Sequence, residues 1–467
     1  MALTLINMVP QSLSGETNQD SEPNIAVNPE NPLEIVATAF TPDPLNGAFA
    51  PIYISSDGGL TWALRTVVPG NGSVGTGDIT VGFATRGGHL YAGILNGQNS
   101  NMQILRAKNY RATTPMEVLV DRADEDQPWV VAETVSVAGA SDQDRVYVGS
   151  NDFNVVPRTA VVDFSLDAAS AAAPAGFARH QIERIAPVGQ DGPPIRLAAH
   201  SDGTVYAAFE RWTRVSSQNV NVDVILTRDD NWGASPDPFA ALADPDSPTP
   251  GRRVATDQFT RWNAVMGQER LGADLAIAVD PASSDNVLIA WCERVGGAAS
   301  TDWTVHVRRS SDRGSTWTDD LRTITNVKNP ALAINDRGRI GFVYQMLTGT
   351  GSFARWETRF ELTDDAWASA PTTLVLHTAL ASQPVRDFFP YLGDYLRLLA
   401  LDEDFYGVFC GSNHPDAANF PNGVTYQRNA NWVTNTLLAP DNLTAVPTSI
   451  DPFFFHWTNG GTEHPTA

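Results

Sequence analysis

Residues 55–62 read SSDGGLTW, and residues 310–317 read SSDRGSTW. One frame, S-x-D-x-G-x-T-W, therefore occurs twice, and each of its positions has a folding role. The short aspartate, Asp57 or Asp312, accepts hydrogen bonds from the backbone of its own turn. Gly59 and Gly314 supply a positive φ that side chains resist. Thr61 and Thr316 start a strand. Trp62 and Trp317 are large enough to fill the wedge between neighbouring sheets. Shorter relatives, RDDNW (228–232), TDDAW (363–367) and RNANW (428–432), predict the same turn elsewhere.

Outward from this turn the chain repeats itself. Seven units pair two apolar strands across an Asp/Asn/Gly turn: 22–40, 77–95, 127–153, 193–212, 272–294, 329–345 and 393–413. Their starts lie roughly 50 to 80 residues apart, the spacing of four-stranded blades with variable loops. A third, alternating strand follows in PIYISS (51–56), NVDVILT (221–227), WTVHVRRS (303–310), ETRFELT (357–363) and VTYQRN (424–429). The octapeptide ends that strand. The expected fold is all-β, a seven-bladed β-propeller of four-stranded antiparallel blades, or six-bladed if the second and third units merge. One propeller domain spans 1–467, with a Pro/Asp-rich surface insertion at about 229–270. LTLINM (3–8) is a candidate for the outer strand that closes the ring, and SIDPFFFHW (449–457) is its rival.

Composition excludes several functions. The chain has 467 residues, 53 acidic and 31 basic, and a net charge of −22. So acidic a surface repels phosphate, and no Lys/Arg run offsets it, so no nucleic acid is expected as a partner. No apolar stretch has the length needed to cross a membrane, so no membrane insertion is expected. The N-terminus has no secretory signal, which implies a cytoplasmic protein or export by a non-classical route. Cys292 and Cys410 are the two cysteines and read as buried free thiols, with one bridge left open. No His pair has metal spacing, acidic turns such as DPASSDN (280–286) lack a calcium-loop pattern, and no cofactor is expected.

The repeated octapeptide resembles the Asp-box, or BNR repeat, of sialidases and related β-propellers, over about residues 20 to 440. In that family the box lies between the third and fourth strands, on the face opposite the active site. The resemblance implies that function sits where the first strands begin and the second strands end. It also implies glycoside hydrolase chemistry. A sialidase needs arginines for the sugar carboxylate, a tyrosine nucleophile helped by a carboxylate, and a separate acid/base. On that face the substrate-binding candidates are Arg196, Arg211, Arg294, Arg386 and Asp126. The catalytic candidates are Tyr391, Glu210, Glu293 and Asp394, with Tyr395 nearby. The Arg-Ile-Pro signature of catalytic sialidases is absent; the nearest strings are PPIRLAA (193–199) and GRIGF (338–342).

Three readings follow. An exo-glycosidase acting on sialic-acid-type sugars requires the arginines to converge. A non-catalytic glycan-binding propeller calls for exposed aromatics, with Trp129, Trp212 and Trp303 available. A structural or interaction module within a larger protein assembly needs neither. Carbohydrate or glycoconjugate is the leading partner class.

Overall fold

The computed structural model describes residues 2–40, 51–66, 76–96, 101–139, 141–155, 159–170, 176–189, 195–217, 219–261, 275–297, 303–385 and 392–459. After strand β1 (Ala2–Asn7), six four-stranded antiparallel sheets follow one another in chain order. The first holds β2 (Ser21–Val27), β3 (Ile35–Phe40), β4 (Pro51–Ser55) and β5 (Ala63–Thr66). The second holds β6 (Thr76–Phe83), β7 (Leu90–Asn96), β8 (Asn101–Ala107) and β9 (Glu117–Arg122). The third holds β10 (Glu125–Val135), β11 (Gln143–Asp152), β12 (Thr159–Ser165) and β13 (Ala178–Gln181). The fourth holds β14 (Arg196–Ala199), β15 (Val205–Ser216), β16 (Asn219–Asp229) and β17 (Arg252–Arg261). The fifth holds β18 (Leu275–Asp280), β19 (Ser283–Arg294), β20 (Trp303–Ser310) and β21 (Arg322–Thr325). The sixth holds β22 (Val327–Ile334), β23 (Ile340–Thr348), β24 (Arg355–Thr363) and β25 (Thr372–Leu380).

The last part of the chain holds β26 (Arg397–Leu401), β27 (Asp404–Ser412), β28 (Thr425–Tyr426), β29 (Ala430–Asn431), β30 (Thr436–Leu438), β31 (Ala445–Val446) and β32 (Ile450–Thr458). Its main sheet runs β26-β27-β32-β1-β28, and β29 to β31 form a small sheet of their own. The first strand of each sheet packs beside the first strand of the next, and β26 packs beside β2. The row of sheets thus closes on itself, which is the arrangement of a β-propeller. The second and third units are separate sheets. The Pro/Asp-rich stretch from 229 contains β17, and residues 262–270 lie outside the described residues. No helix among the described residues is long and apolar enough to cross a membrane. Cys292 and Cys410 are buried thiols, neither in a disulfide.

Second strands are buried over most of their length, since each is paired on both edges and packed on both faces. Four of them share a pattern: Leu90-Tyr91-Ala92-Gly93, Val146-Tyr147-Val148-Gly149, Val205-Tyr206-Ala207-Ala208 and Phe405-Tyr406-Gly407-Val408. Three of these tyrosines bond onward to the next sheet. Tyr91 Oη donates to Asp144 at 2.7 Å, Tyr147 Oη to the Trp232 carbonyl at 2.9 Å, and Tyr206 Oη to the Ser284 carbonyl at 2.7 Å. A large apolar body with a polar tip suits a contact that is dry along the ring and bonded at its end.

Both octapeptides form the turn from third to fourth strand. Ser55 Oγ accepts from Gly59 N at 2.9 Å, and Asp57 Oδ1 accepts from Thr61 N at 2.9 Å. Ser310 and Asp312 repeat this with Gly314 N and Thr316 N, each at 2.8 Å. Burial works against the charge on Asp57, but hydrogen bonds from Thr61 and Ser55 outweigh it and hold the carboxyl below its usual range. Gly59 has φ +88°, and a Cβ there would overlap the Phe454 ring. Gly58 N donates to the Leu33 carbonyl and Arg313 N to that of Asp285. These turns therefore lie at the same end as the turns from first to second strand.

The shorter relatives need correcting. In RDDNW, Asp229 takes the serine place and accepts from Gly233 N at 2.6 Å. In TDDAW, Trp367 itself stands at the glycine place with φ +64°, and Thr363 Oγ1 accepts from its amide at 3.0 Å. Neither tryptophan is the counterpart of Trp62. RNANW is no such turn, and VTYQRN is no third strand, because β28 lies outside β1 in parallel. Both rivals for ring closure are used: β32 is the third strand and β1 the fourth, with Leu5 opposite Phe455.

Arg428 of RNANW locks this closure. Its side chain is fully buried and paired with Asp451, with Nη1 at 3.0 and 2.9 Å from the two carboxylate oxygens. Asp451 also accepts from Asn7 Nδ2 at 2.8 Å. Glu16 and Asp20 complete a group of three carboxylates within 4.8 Å of one another. Burial and then the charges of Asp20 and Asp451 push the Glu16 carboxyl well up, against the pull of Arg428.

Two outcomes are expected in chemical denaturation. Gly59→Ala destabilises by about 2–4 kcal/mol, from left-handed backbone strain plus overpacking on Phe454. Arg428→Met strands the Asp451 charge and costs about 3–5 kcal/mol.

Candidate functional site

Among the described residues the first strands have no strand on their inner edges, and β10, β14, β18, β22 and β26 line a cavity of about 440 Å³. Its walls are mostly aliphatic, including Val131, Leu197, Ile277, Val279, Leu332 and Leu399. Polar groups stand at its two ends. At the upper end, where first strands begin, Arg196 and Arg397 open β14 and β26. Their guanidinium carbons lie 3.9 and 4.5 Å from the centre of the Trp129 indole. The ring's negative face attracts both cations. Tyr395 meets Trp129 edge-on at 5.7 Å, and its hydroxyl donates to Asp78 Oδ1 at 3.1 Å. Burial and then Asp78 push the Tyr395 hydroxyl well above its usual range, so it stays protonated.

The two arginines differ in their partners. Arg196 Nε donates to the Leu275 carbonyl at 2.7 Å. Arg397 has no ion pair among the described residues, and its Nε has no hydrogen-bond partner there. Burial alone pulls Arg397 down to about 10, so it remains a cation at neutral pH.

The lower end is acidic. Glu133, four residues beyond Trp129 on β10, lines the cavity with Thr85, His200, Asp336 and Asp402. Burial raises the Glu133 carboxyl to about 7, against a hydrogen bond from Thr85. Burial and then Asp402, Asp280 and Glu403 raise Asp336. His200 is held by Asp202 at 2.9 Å.

Of the candidates read from sequence, Arg196 reaches the cavity wall. Arg211 is buried off the cavity, with its Nε 2.8 Å from Glu183. Arg294 is also buried away from that wall. The cluster of Arg196, Arg211 and Arg294 is therefore not assembled around this cavity. Arg386 and Tyr391 lie outside the described residues. Glu210 is fully buried in β15. Glu293 lies 3.2 Å from His306, which in turn meets Asp320 at 2.8 Å. Burial opposes the His306 charge, but Glu293 and Asp320 outweigh it and raise its pKa. Asp394 is buried just ahead of β26. Asp126 caps its own bulge, with Oδ1 accepting from Gln127 N at 2.8 Å. Trp129, Trp212 and Trp303 are all buried, so they offer no exposed stacking platform.

Arg397, Asp78 and Glu133 were missed from sequence. A signal for the first was present: Arg196-Leu197-Ala198-Ala199 and Arg397-Leu398-Leu399-Ala400 are the same strand start in two sheets.

No model of a known protein family matches the sequence, and no curated protein matches it. Among solved structures it is similar to a protein of unknown function from Dyadobacter fermentans DSM 18053, at 11% identity and TM-score 0.45 over 97% of this chain and 98% of that one. It is also similar to an α-L-arabinanase of Penicillium chrysogenum complexed with arabinobiose, at 10% identity and TM-score 0.42 over 97% and 98%. A Hadza microbial sialidase gives 12% identity and TM-score 0.40 over 84% of this chain and 63% of that one. Likenesses this distant carry no chemistry across, so function has to be argued from this chain's own side chains.

Glu133 makes a testable mark on stability. Its folded pKa is raised, so the folded state holds a proton that the unfolded state releases between about pH 4.5 and 7. Stability from this group is full below pH 4.5, falls as pH rises to 7, and is flat above. The loss reaches at most about 3 kcal/mol. Glu133→Gln is expected to remove that slope in urea titrations run across the window.

Proposed function

We propose that this chain is a seven-bladed propeller forming one domain, with 229–270 as a surface insertion. In this reading its SSDGGLTW and SSDRGSTW turns are Asp-boxes. Its function is to bind carbohydrate that carries a carboxylate, of the sialic acid type, at the upper mouth of the cavity. Binding without cleavage is the reading that fits best. The observation that supports it is Arg397, a partly buried guanidinium on the cavity wall with no anion beside it among the described residues. A charge held largely out of water without a counter-ion is costly, so its retention calls for a partner from outside. Arg196 shares the Trp129 ring with it, and two planar forks suit a carboxylate better than a neutral hydroxyl. Arg386 and Tyr391 precede Asp394 closely in sequence and are proposed as further contacts for the sugar.

Hydrolysis is a second reading, favoured by one observation. Tyr395 and Asp78 form a tyrosine–carboxylate pair at 3.1 Å beside Arg196, the pairing a tyrosine nucleophile requires. The raised pKa of Tyr395 works against it. Release of fluorophore from an aryl sialoside, lost in Tyr395→Phe, would establish catalysis. No turnover by the unaltered protein would leave binding alone.

For the binding reading, calorimetry is expected to show sialyllactose bound and lactose not bound. Arg397→Met is expected to weaken sialyllactose at least about tenfold, the loss of one charged contact of about 1.4 kcal/mol or more. The same substitution should raise the melting temperature, because it removes a partly buried charge that has no ion pair among the described residues. Equal affinity for the two sugars, or an Arg397→Met variant that binds normally, would sink the proposal.

A further inference from the structure

The upper end of the cavity accounts for its cations but not for its acids. Glu133 projects from β10 into the same space about 13 Å further along the strand from Trp129. No cation pairs with it among the described residues, and its one hydrogen-bond partner is Thr85. Arg145 stands opposite on β11, but its Nη1 donates to the Leu166 carbonyl. Asp336 and Asp402 line the cavity at this end, with Asp280 and Glu403 close enough to repel Asp336. Arg337 pairs with Glu403 at the rim, leaving Asp336 and Asp402 to set the sign of the potential. Low-dielectric walls focus such a field along the channel axis.

We infer that the lower half of the cavity is a binding site for an organic ammonium ion, with Glu133 as the anion that receives it. The walls between the mouth and Glu133 are aliphatic, formed by Val131, Ala199, Val279, Ala333 and Leu401. Those groups suit an alkyl body behind a charged head. They do not suit a hard metal ion, which needs about six oxygen ligands. The one group of three close-set metal-ligating side chains among the described residues is Glu16, Asp20 and Asp451, which are not part of this cavity. The ammonium head reaches Glu133, and the hydrocarbon replaces water against the walls. This site stands independently of the carboxylate site around Arg397.

The test is calorimetric titration of the full chain with n-butylamine, n-butanol and calcium chloride at pH 8. The expected result is saturable binding of butylammonium and none of butanol or calcium. Glu133→Gln should weaken butylammonium at least tenfold, and Glu133→Asp, which keeps the charge, should restore part of that loss. Arg397→Met, which removes a cation from the same cavity, should not weaken amine binding, so failure of the carboxylate reading and failure of this one are distinguishable. Butylammonium binding that is absent, or equal in Glu133→Gln and the unaltered protein, overturns the inference. So does displacement of the amine by calcium.

Discussion

The ladder between β1 and β32 joins the start of the chain to its end, with Ala2 opposite Thr458 and Asn7 opposite Phe453. A row of sheets packed face to face cannot close by itself. The last sheet must supply a third and a fourth strand, and here they come from the two ends of the chain. Phe453 and Phe455 face Phe409 and Phe360, while Phe454 turns the other way against Trp62. One strand of the last sheet therefore grips both the sixth sheet and the first. Arg428 holds the same junction from the side through Asp451, which Asn7 of β1 also engages. Gly59 lacks a side chain because Phe454 occupies that space. The octapeptide turn and the ring closure are thus one packing problem.

Closure also makes the cavity. Arg397 opens β26 and Trp129 sits on β10, two strands that meet only across the ring. Their approach at 4.5 Å depends on every sheet between them. The result is a narrow apolar channel with guanidinium groups at one end and carboxyls at the other. Low dielectric makes each of those charges costly, as the raised Glu133 and lowered Arg397 pKa values both express. A fold selected for stability alone would have filled these positions with aliphatic residues. Tyr91, Tyr147 and Tyr206, by contrast, bury polar atoms with every hydroxyl satisfied, and belong to the scaffold.

Local chemistry was legible wherever it is short-ranged. The octapeptide bonds join residues four apart, so the turn roles of Asp57 and Gly59 could be assigned from the string, while the part of Ser55 as acceptor for Gly59 N was not. Strand pairs flanking a tight turn were legible for the same reason. The shorter relatives misled because Trp232 and Trp367 copy the letters without the register of the bonds. VTYQRN looked like a third strand, since alternation marks any half-buried strand and not its neighbour in the sheet. The site was legible only in type. Arg211 sits at an equivalent place to Arg294 in sequence, yet Glu183, brought by the β13–β14 connection, claims it.

By itself, the sequence determined the repeating four-strand unit and the direction of its turns. Those follow from hydrogen bonds and alternation within a few dozen residues. Only the tertiary structure decided that both chain ends close the ring, which arginine keeps no ion pair among the described residues, and that Trp129 would anchor two cations where an exposed platform was expected. Each of those depends on distances between residues far apart in sequence, and such distances exist only once the sheets have packed.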